Sequence, residues 1–260
     1  MPDSLSRIAT DVRYSVVQFG RSRQSLFFTL VFPGLLMLVL GYMVGTPTQG
    51  VVLPDDQANS EGIGFMFPGI LGMCIMFTAI NETMSVLVRY RTSGLTQRLS
   101  VTPLSTAEWN VAKIVYGTLI MLLSVAVSFA VAWLTFGVNP GISLLTISLV
   151  SVGSMTFVGL GMIISGFVSD VKSVNAVAFS ITLPLMLLSG SLFPVDRLPL
   201  VLQFASIFSP LTCLNNGLRS AMITGDTGTA LGNLFAGVFL ALVLFCTGVA
   251  VRMKDDGQDM

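Results

Sequence analysis

From Ile114 to Ser169 the chain runs 56 residues without a charge. Water is the wrong solvent for such a run, and a bilayer is the right one. About 20 apolar residues at about 1.5 Å each cross a hydrocarbon core of about 30 Å. The run therefore holds two crossings, about 111–136 and 143–168, separated by the turn from Gly137 to Gly141. Backbone at that depth must satisfy its own hydrogen bonds, so the crossings are helices. A second uncharged run, 31 residues from Gln24 to Pro54, supplies a crossing at about 26–45, with Pro33 as a kink and Gly41 and Gly45 as a close-packing face. Further crossings fall at about 63–86, 174–193 (interrupted by Pro184) and 230–251. The expected fold is an all-α polytopic membrane protein with six transmembrane helices in a single domain, 1–260. Composition agrees: 10% of residues are charged, against about 25% in soluble domains.

Ahead of the first span, residues 4–20 carry Leu5, Ile8, Ala9, Val12, Val16 and Phe19 at helical spacing, with Arg7, Asp11, Arg13 and Gln18 off that stripe. Ser4 suits an N-cap. This predicts an amphipathic interfacial helix lying on the membrane. The first twenty residues are too polar for a signal peptide, so the first span serves as the insertion signal.

The stretch from Leu188 to Gly225 is apolar but broken. Pro194, Pro199 and Pro210 interrupt it, and an interior proline removes a helix hydrogen bond. Ten residues separate Pro199 from Pro210, roughly 15 Å of helix, half of a bilayer core. The expectation is two short helices, about 197–208 and 211–223, hinged at Ser209-Pro210, that dip into the membrane and return (197–223 as a re-entrant pair). The competing reading is a seventh span, since Leu198 to Leu218 carries no charge.

The chain has no histidine, which excludes Ser-His and Cys-His nucleophile pairs and His-bearing metal sites. Three scattered cysteines imply no disulfide framework. The nearest approach to a phosphate-binding loop, Gly166 to Ser173, has Val171 where the glycine before the lysine belongs. Zero net charge gives no footprint for nucleic acid. The reading is therefore no enzyme, no catalytic residue, no metal and no cofactor on this chain. Asn81 and Glu82 stand out as polar groups near the far end of the second span. An ionisable residue at membrane depth is a functional hypothesis, although Glu82 is also placed to pair with Arg89 or Lys113.

Orientation follows from the thirteen Lys and Arg residues. With six spans and the N-terminus in the cytoplasm, all of them fall inside except Arg197 and Arg219, the bias the positive-inside rule requires. Both termini are then cytoplasmic, and the broken stretch between spans 5 and 6 faces the outside. The main cytoplasmic loop is 87–110. Ser105 with Glu108 fits a capping box for the helix that follows it.

Two sets of residues resemble one family. Ser189-Gly190, Phe193-Pro194, Leu198-Pro199, Pro210-Leu211-Thr212 and Leu218-Arg219 resemble the C-terminal signature of the ABC-2 permeases, the membrane subunits of bacterial and archaeal ATP-driven exporters. Gly94-Leu95, Arg98-Leu99 and Thr102-Pro103-Leu104-Ser105, followed by Lys113, resemble the pattern between the second and third spans of that family. The family often has acidic residues just before the glycine, whereas Val88 to Arg91 here reads VRYR, which leaves the polarity of the docking surface open. The resemblance implies the type V exporter layout and the daunorubicin-resistance type of permease. It implies that Gly94, Leu95, Arg98, Leu99, Thr102, Pro103 and Leu104 touch an ATP-binding subunit, and that Gly190, Phe193, Pro194, Pro199, Pro210, Leu211 and Arg219 form the re-entrant motif. It further implies a second permease subunit, identical or related, with ATP and Mg held by the partner. The site of action would be the bacterial or archaeal cell membrane, and the work drug-type efflux of an amphipathic or lipid-like substrate among membrane lipid. Eighteen Phe and fourteen Met suit adaptable apolar contacts. An ion-coupled secondary carrier would need inverted repeats and midplane acids, which are not visible. A non-transport scaffold or immunity protein would have no ATPase partner.

Overall fold

A computed structural model of the protein describes residues 4–21, 26–31, 34–35, 38–39, 42, 58–93, 106–136, 143–191, 195 and 199–258. Among these residues are eight α-helices: α1 (Ser4–Arg21), α2 (Ala58–Thr92), α3 (Thr106–Phe136), α4 (Leu144–Ser165), α5 (Val174–Leu188), α6 (Leu200–Ile207), α7 (Pro210–Arg219) and α8 (Thr227–Gln258). A 3₁₀ turn, Val171–Ser173, leads into α5, and a π turn, Ser220–Thr224, extends α7. Five stretches among the described residues are long and apolar enough to cross a membrane: Phe67–Thr92, Val115–Thr135, Leu144–Ser165, Val171–Leu188 and Thr227–Gly248. Residues 32–33, 36–37, 40–41 and 43–45 of the expected first span, with Pro33, Gly41 and Gly45 among them, lie outside the described residues. Within its described part, the π segment Phe27–Val31 is tied to α3, where the Ser124 hydroxyl donates to the Thr29 carbonyl at 2.5 Å.

Burial separates inner from outer helices. In the apolar windows of α2 and α4, 61% of residues are buried, against 17% in the window that ends with α5 and 11% in that of α8. α2 and α4 therefore form the centre, with Phe157, Leu71, Ile75, Met76 and Ile80 almost wholly enclosed. α8 packs on α4 because small residues let the backbones approach. A Cβ on Gly159 would come within 2.9 Å of the backbone at Leu244 and Phe245, and one on Gly248 within 2.9 Å of Met162 Cβ. The other side of α8 shows Leu231, Phe235, Phe239 and Leu242 to the surroundings. α1 lies against α3. Phe19 and Ser15 are buried there, while Ala9 and Val16 of the expected stripe are exposed. The stripe is thus shared between a helix neighbour and open space.

Three sequence expectations need correction. Pro184 does not interrupt its span, for α5 runs through it from Val174 to Leu188, as α2 runs through Pro68. Helices in apolar surroundings tolerate proline because local adjustments re-satisfy the freed carbonyl. The span that contains α5 ends before 193, because Gly190 turns the chain with φ 65°. The loop expected at 87–110 is shorter, since α2 continues to Thr92 and α3 starts at Thr106. Val88 is buried and keeps α2 packed for another turn. Arg89 and Arg91 then stand in its last turn, where positive charge favours the helix C-terminus.

Candidate functional site

The broken stretch folds into a buried polar seam between the α5 turn and α7. α5 ends at Leu188, and the Ser189 hydroxyl donates back to the Met186 carbonyl at 2.9 Å. Gly190 then adopts φ 65°, a conformation that glycine enters without steric penalty. The Gly190 carbonyl accepts from Arg219 Nη2 at 2.6 Å. The next residue, Ser191, sits 2.5 Å from the Ser189 hydroxyl and accepts from Asn215 Nδ2 at 2.7 Å. Ser189, Ser191 and Asn215 are fully buried. On α7, Thr212, Asn215 and Arg219 follow helical spacing along one face. Leu211, Leu214 and Leu218 cover another and are buried in the apolar core.

α2 closes the seam with two glycines. A Cβ on Gly69 would lie 2.2 Å from the Ser191 carbonyl oxygen, and one on Gly72 would lie 2.0 Å from Asn215 Oδ1. That amide oxygen is buried and accepts no hydrogen bond among the described residues. It faces the Gly72 backbone. The seam therefore depends on two missing side chains as much as on the polar groups present.

The prolines set the helix starts. Pro210 occupies the first turn of α7 after an extended Ser209, the position where a missing N–H costs nothing. The Pro199 carbonyl accepts from the Leu202 and Gln203 amides at 2.8 and 3.1 Å. Between them α6 has eight residues, about 12 Å of helix. Leu200, Val201, Phe204 and Ile207 on α6, and Phe208 just after it, are exposed. Of the seven motif residues, Gly190, Leu211 and Arg219 meet in or beside the seam, and Pro199 and Pro210 begin α6 and α7. Phe193 and Pro194 lie outside the described residues. Ser191, Gly69 and Gly72 carried no signal of their own in the sequence. Their only trace was a pair of small residues at i and i+3 in an apolar run.

After α7, Gly225 (φ 66°) ends the π turn and Asp226 caps α8. Its carboxylate accepts from the Gly228 and Thr229 amides at 3.0 and 3.3 Å and from the Thr229 hydroxyl. The Thr229 bonds hold this carboxyl below the usual range, so the cap is present at neutral pH and is lost as pH falls through that lowered pKa.

At the opposite end of α2, Gly94, Leu95, Arg98, Leu99, Thr102, Pro103 and Leu104 lie outside the described residues, as does Ser105 of the capping box. What frames them is described. Arg91, one residue before the end of α2, donates through Nη2 to the Ser165 carbonyl at 3.2 Å and to the Val168 carbonyl. These carbonyls belong to the last turn of α4 and the residues after it, where backbone acceptors lack helical partners. Asp170 caps the following 3₁₀ turn through the Lys172 amide at 3.2 Å. The sequence had counted Arg91 only as a positive charge.

Asn81 is satisfied within its own helix, donating to the Phe77 carbonyl at 2.9 Å. Glu82 lines a cavity of about 40 Å³ between α2, α3 and α4. α2 presents Ala79, Glu82, Thr83, Val86 and Leu87 at helical spacing, and α3 presents Tyr116, Gly117, Ile120 and Met121. Val158 and Met162 of α4 close it. No cluster of three His, Cys, Asp or Glu able to hold a metal occurs among the described residues.

The profile of the ABC-2 type transporter family matches residues 7–223. The chain is 24% identical over 149 residues to the probable multidrug ABC transporter permease YbhR of Escherichia coli K12, covering 56% of this chain and 40% of that protein. It is 23% identical over 203 residues to the linearmycin resistance permease protein LnrN of Bacillus subtilis, covering 77% of this chain and 50% of that protein. It is 25% identical over 169 residues to ABC transporter G family member 20 of Dictyostelium discoideum, covering 64% and 23%. The matches thus span half or less of these relatives.

Proposed function

The chain belongs to the ABC-2 type transporter family and is a multi-pass membrane protein, and from this we propose that it is the membrane subunit of an ATP-binding cassette exporter. It moves an amphipathic, drug-like or lipid-like substrate out of the cell, and a separate chain binds and hydrolyses ATP with Mg. The observation that carries this reading is the family match over 7–223, which includes both the segment between α2 and α3 and the seam. The names of two relatives, a multidrug permease and a linearmycin resistance permease, favour efflux of such compounds. Two permease subunits, identical or related, would face each other across the substrate path in the bacterial or archaeal cell membrane. α1 would rest on the lipid.

The segment 93–105 is the docking site for the ATPase in this reading. It joins the central helix α2 to α3, so a push there moves the membrane part directly. Leu95, Leu99 and Leu104 are apolar in an otherwise polar segment and fit a socket on the partner. Buried central anchors at interfaces cost about 2 kcal/mol or more when lost. Leu99→Asp should therefore insert normally yet fail to co-purify with a co-expressed ATP-binding cassette subunit, and efflux of a toxic amphiphile should stop. Normal co-purification with normal efflux would remove this segment from the mechanism.

The arginine bias supports cytoplasmic termini, and in that orientation α6 and α7 would enter from outside and return. α6 is too short to cross a core of about 30 Å, and its exposed apolar side suits lipid or a second subunit. In a background without native cysteines, single cysteines at 197 and 225 should both react with an impermeant thiol reagent added to intact cells, and one at 98 should not. Reaction at only one of the two outer positions would make the stretch a crossing.

A further inference from the structure

We propose that the buried face of α7 binds neutral O–H groups, those of a hydroxylated amphiphile or of water, through Ser209, Thr212 and Asn215. The amphiphile half of this rests on the exporter reading and names the head-group chemistry. The three residues stand at i, i+3 and i+6, so they line one face of the helix. They are 4%, 8% and 0% exposed. The Ser209 and Thr212 hydroxyl oxygens and Asn215 Oδ1 are buried and have no hydrogen-bond partner among the described residues. Buried polar atoms are nearly always bonded, and each exception calls for an explanation. Three such atoms along a single face point to a ligand.

The local partners such groups usually take are passed over. Ser209 holds the N-cap position of α7 without a side-chain cap bond, and the Thr212 and Cys213 amides go to its carbonyl at 3.1 and 3.3 Å. Other buried hydroxyls bond back along their own helix, as Ser154 does to the Val150 carbonyl and Ser206 to the Gln203 carbonyl, both at 2.7 Å. The donor and acceptor inventory then sets the ligand. Asn215 Oδ1 only accepts, so the ligand must donate. Asn215 Nδ2 already donates to Ser191 at 2.7 Å. A cationic donor is disfavoured by Arg219, one turn further along α7, and α6 and α7 carry no acid to offset it. An anion has no proton for the amide oxygen. A neutral hydroxyl donates to Asn215 and exchanges bonds with Thr212 and Ser209. From Ser209 to Arg219 the row spans about 15 Å of helix. In the orientation argued above it would reach from the outer surface to the middle of a core of about 30 Å.

The test uses the purified full chain in lipid nanodiscs, without an ATPase, and reads the melting temperature. Thr212→Val keeps the shape and removes the hydroxyl. It should melt about 2–4 °C lower, the shift of one lost hydrogen bond in a chain of this size. A hydroxyl that binds nothing predicts the opposite sign, because its removal relieves an unmet polar group. Ser209→Ala should also melt lower, and it decides the matter if Thr212→Val yields no folded protein. Two matched probes separate the sources: decanol, and decyl methyl ether, which keeps the chain and an oxygen but has no O–H. Decanol should raise the wild-type melting temperature above that in the ether by a similar amount, and Thr212→Val should lose that difference. Variants that melt lower, with no difference between the probes, would assign the row to water. Variants that melt at or above the wild type would overturn the proposal. The readout needs neither ATP nor transport. A failure of the exporter reading would show as no ATPase partner and no efflux, with these melting shifts unchanged.

Discussion

Gly69→Ala should leave almost no monodisperse protein after solubilisation, whereas Gly232→Ala should purify like the wild type. The contrast lies in what one methyl group meets. At Gly69 it would fall 2.2 Å from the Ser191 carbonyl oxygen, and at Gly232 nothing lies within 4 Å. The Ser191 carbonyl is backbone and cannot rotate away. Its residue is held from two sides, by Ser189 and by Asn215, while Arg219 holds Gly190. The added methyl must therefore push α2 away from the turn. Overpacking of a tight site costs about 1–3 kcal/mol and sometimes more. Breaking the seam's buried hydrogen bonds adds about 1–3 kcal/mol for each group left unsatisfied. A total of several kcal/mol is a large share of the roughly 5–15 kcal/mol that stabilises a typical fold. Gly72→Ala should behave similarly but more mildly, because its first contact is a side-chain oxygen. At Gly232, by contrast, alanine favours the helix by roughly 0.5–1 kcal/mol. Size-exclusion profiles and melting temperatures in detergent decide the matter. A sharp peak and an unchanged melting temperature for Gly69→Ala would show that the α2 glycines do not set the helix spacing.

How much of this was readable beforehand depends on what each feature answers to. A charge-free run answers to the solvent around it, so Ile114–Ser169 resolved into two helices before any packing was considered. Prolines act locally as well, and Pro199 and Pro210 mark the starts of α6 and α7. The motif pair Gly190 and Arg219 was visible as residues, but its meaning was not. The bond between them joins positions 29 apart and needs the positive φ at Gly190. Local rules misled at Pro184, where the apolar surroundings keep the helix whole, and at Leu87–Thr92, where burial of Val88 outweighs the charges beside it. The Glu82 cavity belongs to three helices at once. Hydropathy along one of them could show an acid at depth and nothing about the space in front of it.

If the exporter reading holds, Arg91→Ala should fold and bind the ATP-binding subunit yet transport poorly, and this tests whether a push on the segment 93–105 reaches the membrane core. Arg91 lies two residues before that segment, with Thr92 between them ending α2. Its guanidinium holds the Ser165 and Val168 carbonyls at the end of α4, and α4 is the helix on which α8 packs. In the exporter reading, a displacement of the end of α2 would be handed to α4 through this side chain. Charge-assisted bonds to carbonyls contribute about 1.5–3 kcal/mol when well formed, and partial exposure of Arg91 lowers that. Its loss should cost only a few degrees of melting temperature. Coupling free energies between sites run about 1–3 kcal/mol, or roughly 5- to 150-fold, so efflux per ATP hydrolysed should drop about tenfold. Arg91→Lys should recover part of it, since an ammonium keeps the charge but lacks the planar fork of donors. The measurement is ATPase rate and efflux in the same proteoliposomes. If efflux and hydrolysis fall in proportion, Arg91 matters for assembly and not for transmission. If neither changes, the motion reaches α4 by another route.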